Sequence, residues 1–226
     1  MHVSPSIARR SPLTDRSPRH TPANSRLWLE FVNTDAATLS TQVSPWRDLD
    51  SLLEWLTAHG AIDEERAGGI SRRAILQPAA AAATLVDARR VRSALRLLAE
   101  KGGQSERVVD DVLAEINRVL GRSAGTRRLD RQPDGQYQRS FVPTGDAFAG
   151  LMIPVVESAA DTLVAGDIRR VRRCAEPRCH RVFLDTTRNG QRRWCDMGTC
   201  GNRAKAARHR AKVLTPPPRE RPRARG

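Results

Sequence analysis

Aromatic residues and long apolar runs are both scarce in this chain of 226 residues. Phe, Trp and Tyr make up 4% of the sequence, which is little for the core of a β-sandwich, whereas 39% of hydrophobic residues suffices for a helical core. No apolar stretch approaches the roughly 18 residues that a membrane-spanning helix requires. The arginines near the N-terminus precede no apolar segment of the kind found in a secretory signal. We therefore expect a cytoplasmic protein that makes no contact with a membrane.

The sequence also contains no internal repeat and no glycine-rich phosphate loop. It therefore gives no support to a repeat architecture or a P-loop enzyme. Its two Gly-Gly pairs, Gly68-Gly69 and Gly102-Gly103, are predicted to be turns.

Acidic residues are few in the last quarter of the chain, and this imbalance is informative. The net charge of the whole chain is +14 with histidine neutral. Residues 27–166 are close to neutral, whereas residues 167–214 hold 14 basic and 4 acidic side chains. A localised basic block indicates a polyanionic partner, most often nucleic acid. The alternative is a basic surface that is merely solvated.

Large apolar residues are nearly missing from residues 1–25, which are rich in Ser, Pro, Arg and Thr. Such a segment cannot bury enough surface to offset the entropy of ordering, so we predict a disordered leader. Residues 215–226 form a basic, Pro-rich tail.

Residues 26–166 are predicted to form a mostly helical domain with one β-hairpin. Its helical segments are recognised by apolar spacing and by capping residues. The Pro133-Asp134-Gly135 turn predicts the hairpin, with strands over 127–131 and 136–142. The apolar stripes are interpreted as core packing. The domain is predicted to open with an apolar segment from Leu27 to Val32, followed by helices over 48–59, over 84–101, from the Ser105 cap to Gly121, and from the Asp146 cap through Val164 with a restart at Pro154.

All four cysteines lie within one short segment, as Cys174, Cys179, Cys195 and Cys200. Two close pairs separated by a longer stretch can bring four sulfurs around one tetrahedral Zn²⁺ ion. Disulfides, an iron–sulfur cluster and buried free thiols are the alternatives. Disulfides need an oxidising compartment, and the spacing matches no common ferredoxin pattern. His180 and His209 could replace a sulfur, but surface roles are favoured because four cysteines complete the coordination shell.

The segment around the cysteines predicts a small treble-clef-like zinc finger over 167–214. It comprises a cysteine knuckle, a short strand over 181–185, a turn at Arg188-Asn189-Gly190, a return strand over 192–195, and a helix from Cys200 to about Lys212. Such a module is too small to be held together by apolar burial, so metal binding should dominate its folding free energy.

The last helix carries basic residues on both sides of a stripe of alanines (Ala204, Ala207 and Ala211). This arrangement suits the gripping of a phosphate backbone. Asn202 and Arg203 are residue types that read base edges, although both could instead be structural, with Asn202 holding the helix start and Arg203 bracing Asp185 or Asp196. The predicted nucleic-acid-binding residues are Arg172, Arg173, Arg192, Arg193, Asn202, Arg203, Lys205, Arg208, Arg210 and Lys212, with Arg170 as a further phosphate contact.

Two stretches of sequence resemble known families of bacterial proteins. The run Cys200-Gly201-Asn202-Arg203, followed by Ala-Lys-Ala-Ala-Arg-His-Arg, is similar to the CGNR zinc finger, and so is the segment from Phe183 to Cys195. Residues 27–34 resemble the opening of the ABATE domain, which is described as a stress-induced transcription regulator, although Glu30 stands where Asp is usual. The resemblance implies a DNA-binding transcription regulator with the four cysteines as zinc ligands.

We therefore expect a regulator that binds double-stranded DNA through the zinc finger. The helical domain would bind an effector, either a small molecule or a protein, or would mediate interactions. A homodimer is compatible with this interpretation. An RNA- or ribosome-associated zinc module is the alternative, and base stacking would then matter. We expect no enzymatic activity, because the sequence near His180 or His209 shows no second set of ligands for a metal ion with an open coordination position.

Overall fold

The computed structural model describes residues 26–35, 46–122, 124–131 and 137–214. The predicted leader, the tail and the Pro133-Asp134-Gly135 turn lie outside these residues. The described chain is mainly helical with two small antiparallel hairpins, as expected. Its helices are α1 (Leu27–Asn33), α2 (Leu49–Ala58), α3 (Glu64–Leu76), α4 (Pro78–Lys101), α5 (Glu106–Arg122), α6 (Ile153–Val164) and α7 (Asn202–Leu214). Its strands are β1 (Gly125–Arg131), β2 (Tyr137–Pro143), β3 (Val171–Arg173) and β4 (Val182–Leu184). None of the described helices is long and apolar enough to cross a membrane.

Helix α1 lies at the centre of the helical domain. Trp28, Phe31 and Val32 are fully buried on it. The indole Nε1 of Trp28 donates to Thr162 Oγ1 of α6 at 2.9 Å. The apolar run that opens the domain is therefore a helix of the core. Because this helix is buried on nearly every side, its sequence shows no polar face.

Helix α2 begins where the sequence predicts. The side chain of Asp48 accepts a hydrogen bond from the backbone N–H of Ser51 at 2.9 Å, which satisfies a free donor of the first turn. Trp46, just before this cap, stacks on Phe31 of α1 with ring centroids 4.8 Å apart. The cap and the aromatic contact together fix α2 against α1.

Helix α3 is absent from the sequence prediction, and the predicted turn at Gly68-Gly69 is wrong. Both glycines lie inside α3. Asp63 caps the helix by accepting from the N–H of Arg66 at 2.7 Å. A good cap and packing of Ile70 in the core outweigh the low helix propensity of two glycines.

Helix α4 starts at Pro78, six residues before the predicted start at Thr84. Proline is tolerated in the first turn of a helix because the backbone N–H that it lacks would have no partner there. The alanines that follow have the highest helix propensity, so they extend the helix although they form no apolar stripe. The second glycine pair does form a turn, as predicted. A Cβ on Gly102 would lie 2.6 Å from the carbonyl oxygen of Leu98, which is too close, so this turn requires a glycine.

The predicted hairpin is present as strands β1 and β2, paired antiparallel from Gly125 opposite Pro143 to Arg131 opposite Tyr137. The helix predicted from Asp146 begins instead at Ile153. Asp146 caps a preceding turn, accepting from the N–H of Phe148 at 3.0 Å.

The cysteine-containing segment packs directly against the helical domain. Val182 and Leu184 of β4 belong to the large core, whereas Phe183 packs with Cys174 and Cys200 in a second, small cluster. Alternate residues of a strand face opposite sides, so β4 joins the two clusters. The finger and the helical domain therefore do not have separate cores.

Candidate metal centre and basic helix

The first cysteine pair lies on a tight turn that follows strand β3. The N–H of Cys174 donates to the carbonyl of Arg181 at 2.9 Å, and the N–H of Cys179 donates to that of Glu176 at 2.9 Å. These bonds close the knuckle and direct both thiols to one side. Glu176, between them, is buried.

The second cysteine pair is held at the start of the last helix. The carbonyl of Arg193 accepts from the N–H of Ala175 at 2.8 Å, which ties the second pair to the first knuckle. Asp196 caps a π-helical turn over Met197–Gly201 by accepting from the N–H of Thr199 at 2.7 Å. Cys200 lies in this turn, so its sulfur is fixed to the beginning of α7.

The four sulfurs converge on one point. They all lie within 4.8 Å of one another, and Cys195 Sγ is 3.8 Å from the sulfurs of both Cys179 and Cys200. A metal–sulfur distance of about 2.3 Å gives a regular tetrahedron edges of about 3.8 Å. A disulfide would place two sulfurs about 2 Å apart, and a cluster of several irons would spread them further. The spacing therefore fits one tetrahedral metal ion.

The four thiols differ in how readily they ionise. Burial opposes ionisation of Cys174, but backbone hydrogen bonds from Cys195 and Glu176 outweigh it and lower the pKa of that thiol. Burial raises the pKa of Cys195, and contacts with the other thiols raise it further. The cluster therefore favours ionisation of Cys174 and opposes that of Cys195. A bound metal ion would release the remaining protons and hold four thiolates together.

A buried carboxylate that the sequence reasoning did not assign organises the loop after β4. Asp185 is fully buried and accepts from the N–H of Thr187 at 2.9 Å and from that of Arg192 at 2.8 Å. Arg172 Nε lies 3.5 Å from its Oδ2. Burial opposes ionisation, but these hydrogen bonds and Arg172 lower the pKa of Asp185. The sequence indicates a role for Asp185 only by its position, as an acidic residue directly after the apolar strand 182–184 in a basic segment.

Several arginines of the predicted nucleic-acid set bond within the finger. Arg192 donates from Nε to the carbonyl of Trp194 at 2.9 Å and from Nη2 to that of Cys195, with its guanidinium over the Phe183 ring. The other bonds of this kind join Arg170 to the carbonyls of Asp185 and Thr187, Arg172 to that of Gly190, and Arg173 to the ring of His180.

The predicted return strand over 192–195 is not a strand; β4 pairs instead with β3, Val171 opposite Leu184. The side chain of Arg192 caps the carbonyls of Trp194 and Cys195, so these groups do not join a sheet. Strand β3 is the pairing partner of β4. It lies beside α4, and its Val171 is half-buried against the large core.

Helix α7 is exposed over almost its whole described length. Ala204 is half-buried, and Ala207 and Ala211 are exposed, so the alanine stripe does not pack on the hairpin. Asn202 Nδ2 donates to the carbonyl of Gly198 at 3.0 Å, which supports the structural alternative for this residue. The described contacts of Asp185 and Asp196 do not include Arg203. The predicted basic residues that are exposed are Arg172, Arg173, Arg193, Arg203, Lys205, Arg208 and Arg210; the side chain of Lys212 lies outside the described part of the chain.

The two histidines near the finger lie outside the sulfur cluster. The carbonyl of His180 accepts from Arg96 of α4 at 2.8 Å, and His209 is exposed on α7.

The fold and the site define a helical domain joined to a four-cysteine metal-binding module. Family comparisons agree. The model of the CGNR zinc finger matches residues 170–213, and that of the ABATE domain, described as "Putative stress-induced transcription regulator", matches residues 25–166. The chain belongs to this ABATE family, and it carries a CGNR zinc finger. No curated protein sequence matches it.

Proposed function

We propose that this protein is a transcription regulator that binds double-stranded DNA through helix α7, with one Zn²⁺ ion holding that helix in place. The observation that supports it best is the exposure of α7. A helix whose surface is basic and solvent-exposed, and which directly follows a turn that contains a metal-ligating sulfur, is positioned to enter a groove or to follow a phosphate strand.

The exposed basic side chains of α7, together with Arg193, are the best candidates for phosphate contacts. Arg193, Arg203, Lys205, Arg208 and Arg210 are exposed. Arg192 and Arg172 use N–H groups to hold carbonyls inside the finger, so we assign them a positioning role. If about five phosphates are neutralised, log K should fall against log[salt] with a slope of about −4.5.

Zinc is the favoured ion because it prefers four thiolates in a tetrahedral site, which makes a closed structural centre. The four sulfurs leave no open position for water or substrate, which supports a binding protein rather than an enzyme. Free thiols in this number favour a reducing compartment such as the cytoplasm.

The RNA alternative receives less support from the aromatic residues of the finger. Phe183 is buried, and the Trp194 ring has the guanidinium groups of Arg193 and Arg208 at 5.3 and 6.0 Å from its centroid. Neither ring is free for base stacking, which binds single strands.

The test measures binding of the full chain to labelled duplex DNA by fluorescence anisotropy over a range of salt concentrations. A variant with Lys205→Ala and Arg208→Ala should bind more weakly and reduce the salt slope by about 1.8, because each lost phosphate contact removes about 0.9. Arg107→Ala, an exposed arginine on α5, is the matched control. Salt-independent binding, or displacement by single-stranded RNA at lower concentration than by duplex DNA, would contradict the proposal.

A further inference from the structure

A groove lies between helices α2 and α3, on residues that the metal centre does not use. Its volume is about 640 Å³, within the usual range for sites that bind small molecules. Leu53, Ala67 and Gly68, which are buried or half-buried, form an apolar floor, and Ala58 is exposed at its edge. Its size and lining suit a compact ligand with an apolar body.

The polar groups of the groove leave few donors for a ligand. The hydroxyl of Thr57 donates to the carbonyl of Leu53 at 2.9 Å, and that of Ser71 donates to Asp50 at 2.7 Å. With these donors engaged, the polar atoms that face a ligand are carboxylate oxygens, which only accept hydrogen bonds when ionised.

Three of the lining residues are exposed carboxylates: Asp50, Glu54 and Glu64. Within the described part of the chain, none of them forms an ion pair, although the whole chain carries a net charge of +14. The guanidinium of Arg72 lies beside Gly68 and offsets part of this negative charge. The rim therefore attracts a cation and repels an anion.

Gly68 shapes the groove because it has no side chain. Glycine inside a helix lowers helix stability relative to alanine. A Cβ at this position would meet only the end of the Arg72 side chain, at 3.4 Å, so packing does not require a glycine there. The missing side chain leaves the floor of the groove open.

We propose that the groove between α2 and α3 is a binding site for a small organic cation with an apolar body. The apolar floor would bury the body of the ligand, and the three carboxylates would hold its charged group. This site is separate from the metal centre and from α7, so the inference does not depend on DNA binding.

The test uses tetraphenylphosphonium, with tetraphenylborate as a probe of the same shape and opposite charge. Titration calorimetry on the full chain should show one site for the cation. Amide NMR shifts should locate that site to residues 50–71, and the anion should leave these shifts unchanged. Preference for the cation over the anion at this site would be strong support, because the local carboxylates, and not the net charge of +14, would then decide which probe binds.

Two glycine variants supply a matched pair. Gly68→Leu should fill the floor and weaken cation binding by about tenfold or more, because the new side chain occupies the space that the apolar body of the ligand would take. Gly69→Leu places the same side chain one residue along α3, at a position outside the groove lining, and should bind the probe as the unaltered chain does.

A rim variant, Glu54→Gln with Glu64→Gln, keeps the proposal testable if Gly68→Leu fails to fold, since both residues are exposed. It should weaken binding of the cation and reduce its dependence on salt. Equal binding of the two probes, or an unchanged affinity in Gly68→Leu and in the rim variant, would overturn the proposal. So would self-association that Gly68→Leu abolishes without any cation binding, since a second copy would then occupy the groove.

Discussion

The side-chain amide of Asn33 pairs with the backbone of Val182 through two hydrogen bonds. Nδ2 donates to the carbonyl of Val182 at 2.9 Å, and Oδ1 accepts from its N–H at 2.8 Å. Asn33 ends helix α1, and Val182 begins strand β4 of the finger. One side chain of the helical domain thus satisfies both backbone groups at the outer edge of β4, and the two parts of the chain are joined at a buried point.

We predict that Asn33→Ala destabilises the whole protein by about 2–4 kcal/mol, because a buried N–H and a buried C=O lose their partners. Urea unfolding followed by far-UV circular dichroism would measure this loss. Asn117→Ala, on the exposed face of α5, is the matched control and should change stability by less than about 0.5 kcal/mol. Equal effects of the two substitutions would show that the Asn33 contact contributes nothing.

We predict that Cys195→Ser loses the bound metal and also destabilises the helical domain. Val182 and Leu184 would leave the large core, and each buried aliphatic side chain contributes about 1.5–3 kcal/mol. Elemental analysis should find about one zinc per unaltered chain, as a single four-thiolate site requires, and none in the variant. Guanidinium unfolding should show a lower midpoint for the helical signal. An unchanged helical midpoint after metal loss would indicate that the finger folds independently.

Arg192 and Arg193 are neighbours in sequence with different expected roles. Arg192→Lys should lower stability, because lysine cannot bond two carbonyls and stack on Phe183 at once. Arg193→Lys should leave stability and DNA affinity nearly unchanged, whereas Arg193→Ala should weaken DNA binding alone. Thermal unfolding and anisotropy titration on the same three variants separate these effects. Similar losses of stability in both lysine variants would contradict the assignment.

The stability of the helical domain should depend on pH through Glu115. This buried carboxylate accepts from Arg118 and from Arg90, and these partners lower its pKa against the opposing effect of burial. A group with a lowered folded-state pKa stabilises the fold above its unfolded pKa of about 4.3, and this contribution is lost as the pH falls through the folded value.

The substitution Glu115→Gln tests this linkage. It should cost about 1–2 kcal/mol at pH 7, and the difference from the unaltered chain should shrink as the pH drops below about 4. Asp110→Asn, exposed on the same helix, should show neither effect. A difference that stays constant from pH 7 to pH 3 would show that shape, and not charge, is responsible.

The sequence was most informative where the local chemistry is strict. The spacing of the four cysteines predicted the sulfur cluster because a tetrahedral ion imposes distances on a short chain. The Asp48 cap and the apolar stripe after it predicted α2 to within a residue. Predictions of this kind depend on residues that are close in sequence, so they do not require knowing which distant surface the element packs against.

The remaining features depend on contacts between distant residues. Helix α3 was missed because two glycines and several charges hide its pattern, and only its packing through Ile70 reveals it. The joined cores were missed because Val182 and Leu184 were assigned to a small strand whose neighbours were unknown. The uninterrupted apolar triplet around Phe183 was the available signal, since a strand buried on both faces shows no alternation.

The link between Asn33 and Val182 also bears on how the chain is made. Translation at about 5–20 residues per second needs roughly 7–30 s to supply the 149 positions between them. During that interval the nascent first helix lacks its last partner and exposes apolar surface at the ribosome exit. Newly made protein should therefore depend on chaperones until its final segment emerges.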